Sequence, residues 1–572
     1  MVYLSSQRFN FEVGSLQPTV QSTSWSYFTD KLISSHTIIV LAAACRMSFL
    51  RCDPQEWASL IAEETRVHLQ LSQIRSRKNS YTPACSLPTE LLQQIFLAID
   101  QTSMDLFSIT QVCRVWRDAA LSCQMLWTHV DPSTSRYPLV LQRSGNAPLR
   151  LECWTGGIRN DEIAGLDSYT DRFVSVDLLA DRSSMMGFLR LFKTRTWNTL
   201  QILSLETDGW GSSSERVLDL SFSQPPPNLR RLHLTGVVPE SWNHSSMYRN
   251  LTKLHLEPME NRQNSLCRPT MSQILVILED CTSLEKLSLV GCLQAGSPPT
   301  AHKTISLDRL QVLKLGREED YAVRYFLLHC AIPETTHFFL ECTVRPSAHA
   351  GLLSCLPQDV THLPFLRAIC AAELANDPAN HKGLFSLCAY YGSHDHPNGR
   401  CCFQASAMYE ILYGDHGILE AHRVSLLQLG QALRGSHIKT LKMRIFNNDL
   451  RNVTVADWRV VLPCFPSLTS LRLHRIDAKP PDEPDNFLPI LHALIPTQSS
   501  PDILLPALQS LHLENWTEER LRPIHGSIRQ LRELRASISG PSFQVFIDTM
   551  KVCAQINRTR SLPLTSILQL IF

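Results

Sequence analysis

The chain has 572 residues, with 54 Lys and Arg against 53 Asp and Glu and a formal net charge of +1. That balance removes any global attraction for nucleic acid or anionic lipid. The 44% hydrophobic and 19% charged content excludes a disordered chain. Such a length holds several domains, or one small domain followed by a long array. The 18 cysteines are scattered without framework spacing. That pattern fits reduced thiols in the cytoplasm or nucleus better than a secreted disulfide scaffold.

Residues 1–52 show no usable periodicity and form a poorly defined N-terminal segment. Their apolar run Thr37–Cys45 is shorter than the roughly 18–20 residues a membrane span needs, and lies too deep in the chain for a secretory signal. Residues 53–80 predict an amphipathic helix. Asp53 stands at the N-cap, Pro54 at the first helical position and Glu56 where it completes a capping box. Trp57, Leu60, Ile61, Val67, Leu71 and Ile74 form one stripe, and Arg75, Arg77 and Lys78 suit the C-terminal end. This helix is expected to dock on its own chain, with a coiled-coil partner surface as the alternative.

Residues 84–131 read as a compact helical module. Two prolines in "YTPACSLP" break the preceding helix. Thr89 is expected to cap a helix that carries Leu91, Leu92, Ile95, Phe96 and Ile99 on one face. A second segment from Asp105 groups Leu106, Ile109, Val112 and Cys113, and a third groups Trp116, Ala119, Ala120 and Cys123. Three short helices bury little surface, so a partner would stabilise them.

Residues 132–199 form a linker with the first degenerate repeats. In residues 200–572 the pattern Leu-x-x-Leu-x-Leu recurs, in "LQILSL" from Leu200, "LRRLHL" from Leu229, "LTKLHL" from Leu251, "LEKLSL" from Leu284, "LQVLKL" from Leu310, "LTSLRL" from Leu468 and "LQSLHL" from Leu508. "IKTLKM" from Ile438 is a looser copy. The alternation at the end of each copy has the period of a strand with one buried face. Helical patterns such as "SQILVILEDC", "VADWRVVLPCFP" and "NFLPILHALIP" precede several copies. This alternation resembles leucine-rich repeats, whose units stack because none buries its apolar face alone. The array is irregular. The position where such repeats place Asn or Cys holds Cys292 once, and otherwise Asp208, Val237, Met259, Glu318, Ile476 and Trp516. Near 320–435 the pattern fades into a degenerate or inserted stretch, and the closing "LTSILQLIF" reads as the start of one more unit.

The module from Ser86 to Val130 resembles the F-box, in the form common in large fungal families. Leu87, Pro88, Glu90, Leu91, Leu92, Ile95 and Phe96 carry the likeness, with Leu106, the "VCRVWRDAA" block and the closing Leu126 and Trp127. The expected fold is α/β, with a small N-terminal helical F-box-like module followed by an irregular leucine-rich-repeat solenoid, a horseshoe. The resemblance implies docking on a Skp-family adaptor, and through it on a cullin scaffold, by Leu87, Pro88, Leu91, Leu92, Ile95, Phe96, Leu106 and Trp116. It implies a substrate-recognition subunit of a ubiquitin ligase that directs a target protein to degradation. The target would meet the x positions of the leucine strands, namely Arg231, His233, Lys253, His255, Lys286, Lys314, Arg472, His474 and His512. This polar, basic, His-rich set suits an acidic or phosphorylated segment. The alternative is a non-ligase interaction scaffold in which the F-box-like unit caps the solenoid.

Catalytic patterns are missing: the sequence holds no Gly-rich phosphate loop, HExxH or GxSxG. Cys388, His394, His396, Cys401 and Cys402 are residue types that zinc accepts, but at no finger spacing. No enzyme, cofactor, bound metal, nucleic acid or membrane is expected.

Overall fold

The computed structural model describes residues 53–549 apart from interior stretches, the longest being 208–217, 259–267, 294–303 and 476–486. The Thr37–Cys45 run, His394, His396 and the closing "LTSILQLIF" lie outside the described residues. Among those described, no helix is long and apolar enough to cross a membrane. The chain forms two compact units, one built from helices and the other around a large sheet.

The helical unit begins with α1, Pro54–Ser80. Asp53 caps it by accepting from the Gln55 N–H at 3.0 Å. None of its side chains is buried, and Leu60, Val67 and Ile74 are 58, 51 and 63% exposed. The expected docking onto its own chain is therefore not found among the described residues. Next come α2, Thr89–Ala98, α3, Ser103–Val112, and α4, Arg114–Ser122. Pro88, not Thr89, is the N-cap of α2. Its extended backbone turns its carbonyl toward the Leu91 and Leu92 N–H groups, both at 3.1 Å, so Thr89 is already helical.

The second unit is a large mixed α/β region. Among the described residues its main sheet has 16 strands: β1 His129–Val130, β2 Leu149–Cys153, β3 Phe173–Ala180, β4 Ile202–Thr207, β5 Arg231–Thr235, β6 Lys253–Glu257, β7 Lys286–Val290 and β8 Val312–Glu318. They continue as β9 His337–Val344, β10 Ala371–Asp377, β11 Leu384–Tyr391, β12 Arg400–Tyr409, β13 Thr440–Ile445, β14 Ser470–Arg475, β15 Ser510–Trp516 and β16 Gln544–Thr549. Neighbours follow chain order from β1 to β9 and from β13 to β16, and pair in parallel.

Every regular Leu-x-x-Leu-x-Leu copy ends on one of these strands, and its three leucines are at most 2% exposed. Parallel pairing sets them in register, Leu203 beside Leu232, Leu254, Leu287 and Leu313. A one-residue slip would turn each strand's leucines to the opposite face, so burial fixes the register. Parallel neighbours need crossover connections. Helices such as Arg182–Thr194, Met271–Asp280 and Val455–Val461 provide them, capped by Asp181, Thr270 and Thr454.

The irregular positions have local solutions. The buried Glu318 carboxylate accepts from the Cys292 N–H at 2.7 Å and the Leu293 N–H at 2.9 Å, which is the work expected of Asn. Burial raises its pKa to about 7, against the opposing pull of those two donors. Between β9 and β13 the order becomes β12, β11, β10, with β11 antiparallel to both neighbours. The faded stretch is thus a meander set into the sheet. It places Cys388 on β11 and Cys401 and Cys402 on β12.

Candidate docking faces

The x positions of the leucine strands form rows across one face of the sheet. Arg231, Lys253 and Lys286 make one row in register, and His233, His255, Ser288 and Lys314 the next. His255 donates or accepts at Ser288 Oγ over 2.8 Å, His233 contacts Thr235 Oγ1 at 3.1 Å, and the two imidazoles lie 4.1 Å apart. Burial first, then His233 and Lys314, drive the His255 pKa down to about 3, and burial also lowers that of His233. Both rings are therefore neutral near pH 7, and positive charge on this face comes from Arg and Lys.

A third row went unseen in the sequence. Glu206 and Glu257 follow the last leucine of their copies and flank Thr235 in register. Glu257 pairs with Arg317 and lies 3.5 Å from His255. The signal was available, since the residue after x-Leu-x-Leu returns to the x face. Arg231, Lys253, Lys286 and Lys314 make no ion pair among the described residues. Burial, then Arg231 and Lys286, lower the Lys253 pKa, as expected for like charges on adjacent strands. Farther along, Glu373 meets Lys442 at 3.7 Å and Arg444 at 3.4 Å. Glu514 meets His474 at 3.2 Å and Arg472 at 3.9 Å, while His512 stacks on Phe546 at 4.6 Å. Arg472, His474 and His512 are thus occupied within the sheet.

In the helical unit, α2 divides its apolar residues. Leu92 and Phe96 are fully buried, whereas Leu91 and Ile95 are each 45% exposed. Neighbouring helical residues differ by about 100° in direction, so a stripe read at i and i+1 spans an inward and an outward edge. The Phe96 ring sits 5.1 Å from that of Trp116, which is half-buried and donates from Nε1 to the Ala84 carbonyl at 3.4 Å. Gln93 ties α2 to α4 by donating to the Ala119 carbonyl at 3.2 Å and Ser122 Oγ at 3.0 Å. Leu106 is buried, Leu87 half-buried and Pro88 exposed. Leu92, Phe96 and Leu106 therefore belong to the interior, and Pro88, Leu91 and Ile95 are presented to solvent. Val112, grouped in sequence with the buried Leu106 and Ile109, and Val115 are 57 and 40% exposed and add apolar surface.

A family model of F-box-like domains matches residues 84–133. Residues 84–133 are an F-box-like domain. No curated protein matches the chain. F-box-like domains are non-catalytic adaptor modules and take part, in general terms, in Skp–cullin–F-box type complexes. Among the described residues no group of three or more His, Cys, Asp or Glu could hold a metal ion. Cys388 on β11 and Cys401 and Cys402 on the adjacent β12 are the described metal-ligand types of the Cys/His-rich segment.

Proposed function

We propose that the chain is the substrate-recognition subunit of a Skp–cullin–F-box type ubiquitin ligase, working in the cytoplasm or nucleus. Pro88, Leu91 and Ile95, with the edge of Leu87, enter the groove of a Skp-family adaptor, which links the chain to a cullin scaffold. Leu92, Phe96, Leu106 and Trp116 hold the helix that presents them. The leucine strands act as an irregular leucine-rich-repeat solenoid, a horseshoe whose x face holds a target protein.

The observation that carries this reading is an F-box-like domain whose first α-helix, α2, keeps Leu91 and Ile95 each 45% exposed. Exposed apolar side chains on a folded helix are the usual mark of a groove-binding surface. On the target side, support comes from Arg231, Lys253, Lys286 and Lys314, which make no ion pair among the described residues and favour an acidic or phosphorylated segment. Co-purification with a Skp-family adaptor tests the first half. The native chain is expected to retain the adaptor and the Leu91→Asp/Ile95→Asp variant to lose it. Retention by the variant, or none by the native chain, would leave the F-box-like unit as a cap on an interaction scaffold.

A further inference from the structure

The exposed stripe on α1 has a heptad register. With Trp57 at position a, the a and d positions are Trp57, Leu60, Glu64, Val67, Leu71 and Ile74, and five of these six are apolar. Leu60, Val67, Leu71 and Ile74 are 58, 51, 39 and 63% exposed. A spacing of alternately three and four residues sustained over this length is what a two-helix seam needs. A helix of 27 residues without one buried side chain gains little from packing against the other described residues.

Charge selects what can cover the stripe. The first half of α1 carries Glu56, Glu63 and Glu64 with Arg66, and the second half carries Arg75, Arg77 and Lys78. The acidic half and the basic half complement each other only when two such helices run in opposite directions. We infer that α1 pairs with α1 of a second copy of this chain as an antiparallel two-helix coil. In the register that matches every apolar layer, Trp57 faces Ile74 of the other copy, Leu60 faces Leu71, and Glu64 faces Val67. The same register sets Glu56 beside Arg77 across each end of the seam, where flanking charges fix orientation. A parallel pair would instead stack Glu64 on Glu64 in the seam and place acidic half on acidic half.

Sedimentation of the full chain over a range of concentrations tests this pairing. The native chain is expected to form a dimer, and Leu60→Asp/Leu71→Asp to leave a monomer. Arg77→Glu alone, or Glu56→Lys alone, should raise the dimer dissociation constant by about tenfold or more. The Glu56→Lys/Arg77→Glu double variant restores opposite charges across an antiparallel seam and should recover the native constant. A chain that stays monomeric up to about 100 µM, as it would if residues 1–52 covered the stripe, overturns the inference. So does a double variant no tighter than the single ones, or single reversals without effect.

Discussion

The sheet and the F-box-like domain use the same apolar residues to opposite ends. On the leucine strands every motif leucine is at most 2% exposed, while α2 leaves Leu91 and Ile95 half in solvent beside the fully buried Leu92 and Phe96. The difference lies in the period. A strand sends successive residues to opposite faces, so its leucines are all inward or all outward. A helix turns by less, and a stripe wide enough to serve an interior and a partner does both. The sheet is thus built for self-sufficiency and α2 for sharing.

That contrast can be broken by substitution. The largest effects are expected inside: Phe96→Ala should destabilise the F-box-like domain by about 3–5 kcal/mol, and Leu287→Ala the sheet by about 2–5 kcal/mol, measured by chemical denaturation. If Phe96→Ala cost no more than Ile95→Ala, the division of α2 would be wrong. A pH effect of comparable size should come from Glu318. Its carboxyl is raised in the folded chain from 4.5 to about 7, so it holds a proton there that the unfolded chain releases. The sign follows: this contribution to stability is full below pH ~4.5 and is lost as pH rises through ~7, on the order of 3 kcal/mol. Glu318→Gln removes the titrating group, keeps one acceptor oxygen where the Cys292 and Leu293 N–H groups meet two, and should flatten stability across that window at some constant cost. An unchanged pH profile would mean that Glu318 is not held protonated.

Smaller effects sharpen the outward half of the comparison. Leu91→Ala and Ile95→Ala should each change stability by about 1 kcal/mol or less, since each side chain is already near half exposed. Their Asp variants should nonetheless abolish adaptor retention. A loss of stability matching that of Phe96→Ala would make these residues part of the interior. Least of all, Lys253→Gln should raise stability by a few tenths of a kcal/mol by relieving repulsion from Arg231 and Lys286. Equal or lower stability would indicate that the row is balanced by a charge within the chain.

Much of the sheet was legible because the Leu-x-Leu alternation can be satisfied by one kind of strand and one register. The β10–β12 meander was not, since "AAELAND", "LFSLCAYY" and "RCCFQASAMY" carry no such pattern. Their strands are told apart only by pairing over distance. Glu318 was legible as an exception to the Asn position, but its two N–H donors lie 25 and 26 residues upstream and become visible only when folded. On the candidate docking faces, the basic x residues were readable one strand at a time. The Glu206 and Glu257 row was missed because the motif was read as ending at its last leucine. The split of α2 was illegible for a different reason. Leu91 and Leu92 are the same residue type one position apart, and only the Phe96–Trp116 contact and the Gln93 bonds to α4 show which edge turns in.

Hydroxyl-radical footprinting of the full chain, with and without a purified Skp-family adaptor, tests the sharing of α2 most directly. The account predicts that the adaptor protects Pro88, Leu91 and Ile95 while Leu92 and Phe96 stay protected throughout. Unchanged labelling of Leu91 and Ile95 in the presence of the adaptor would contradict it.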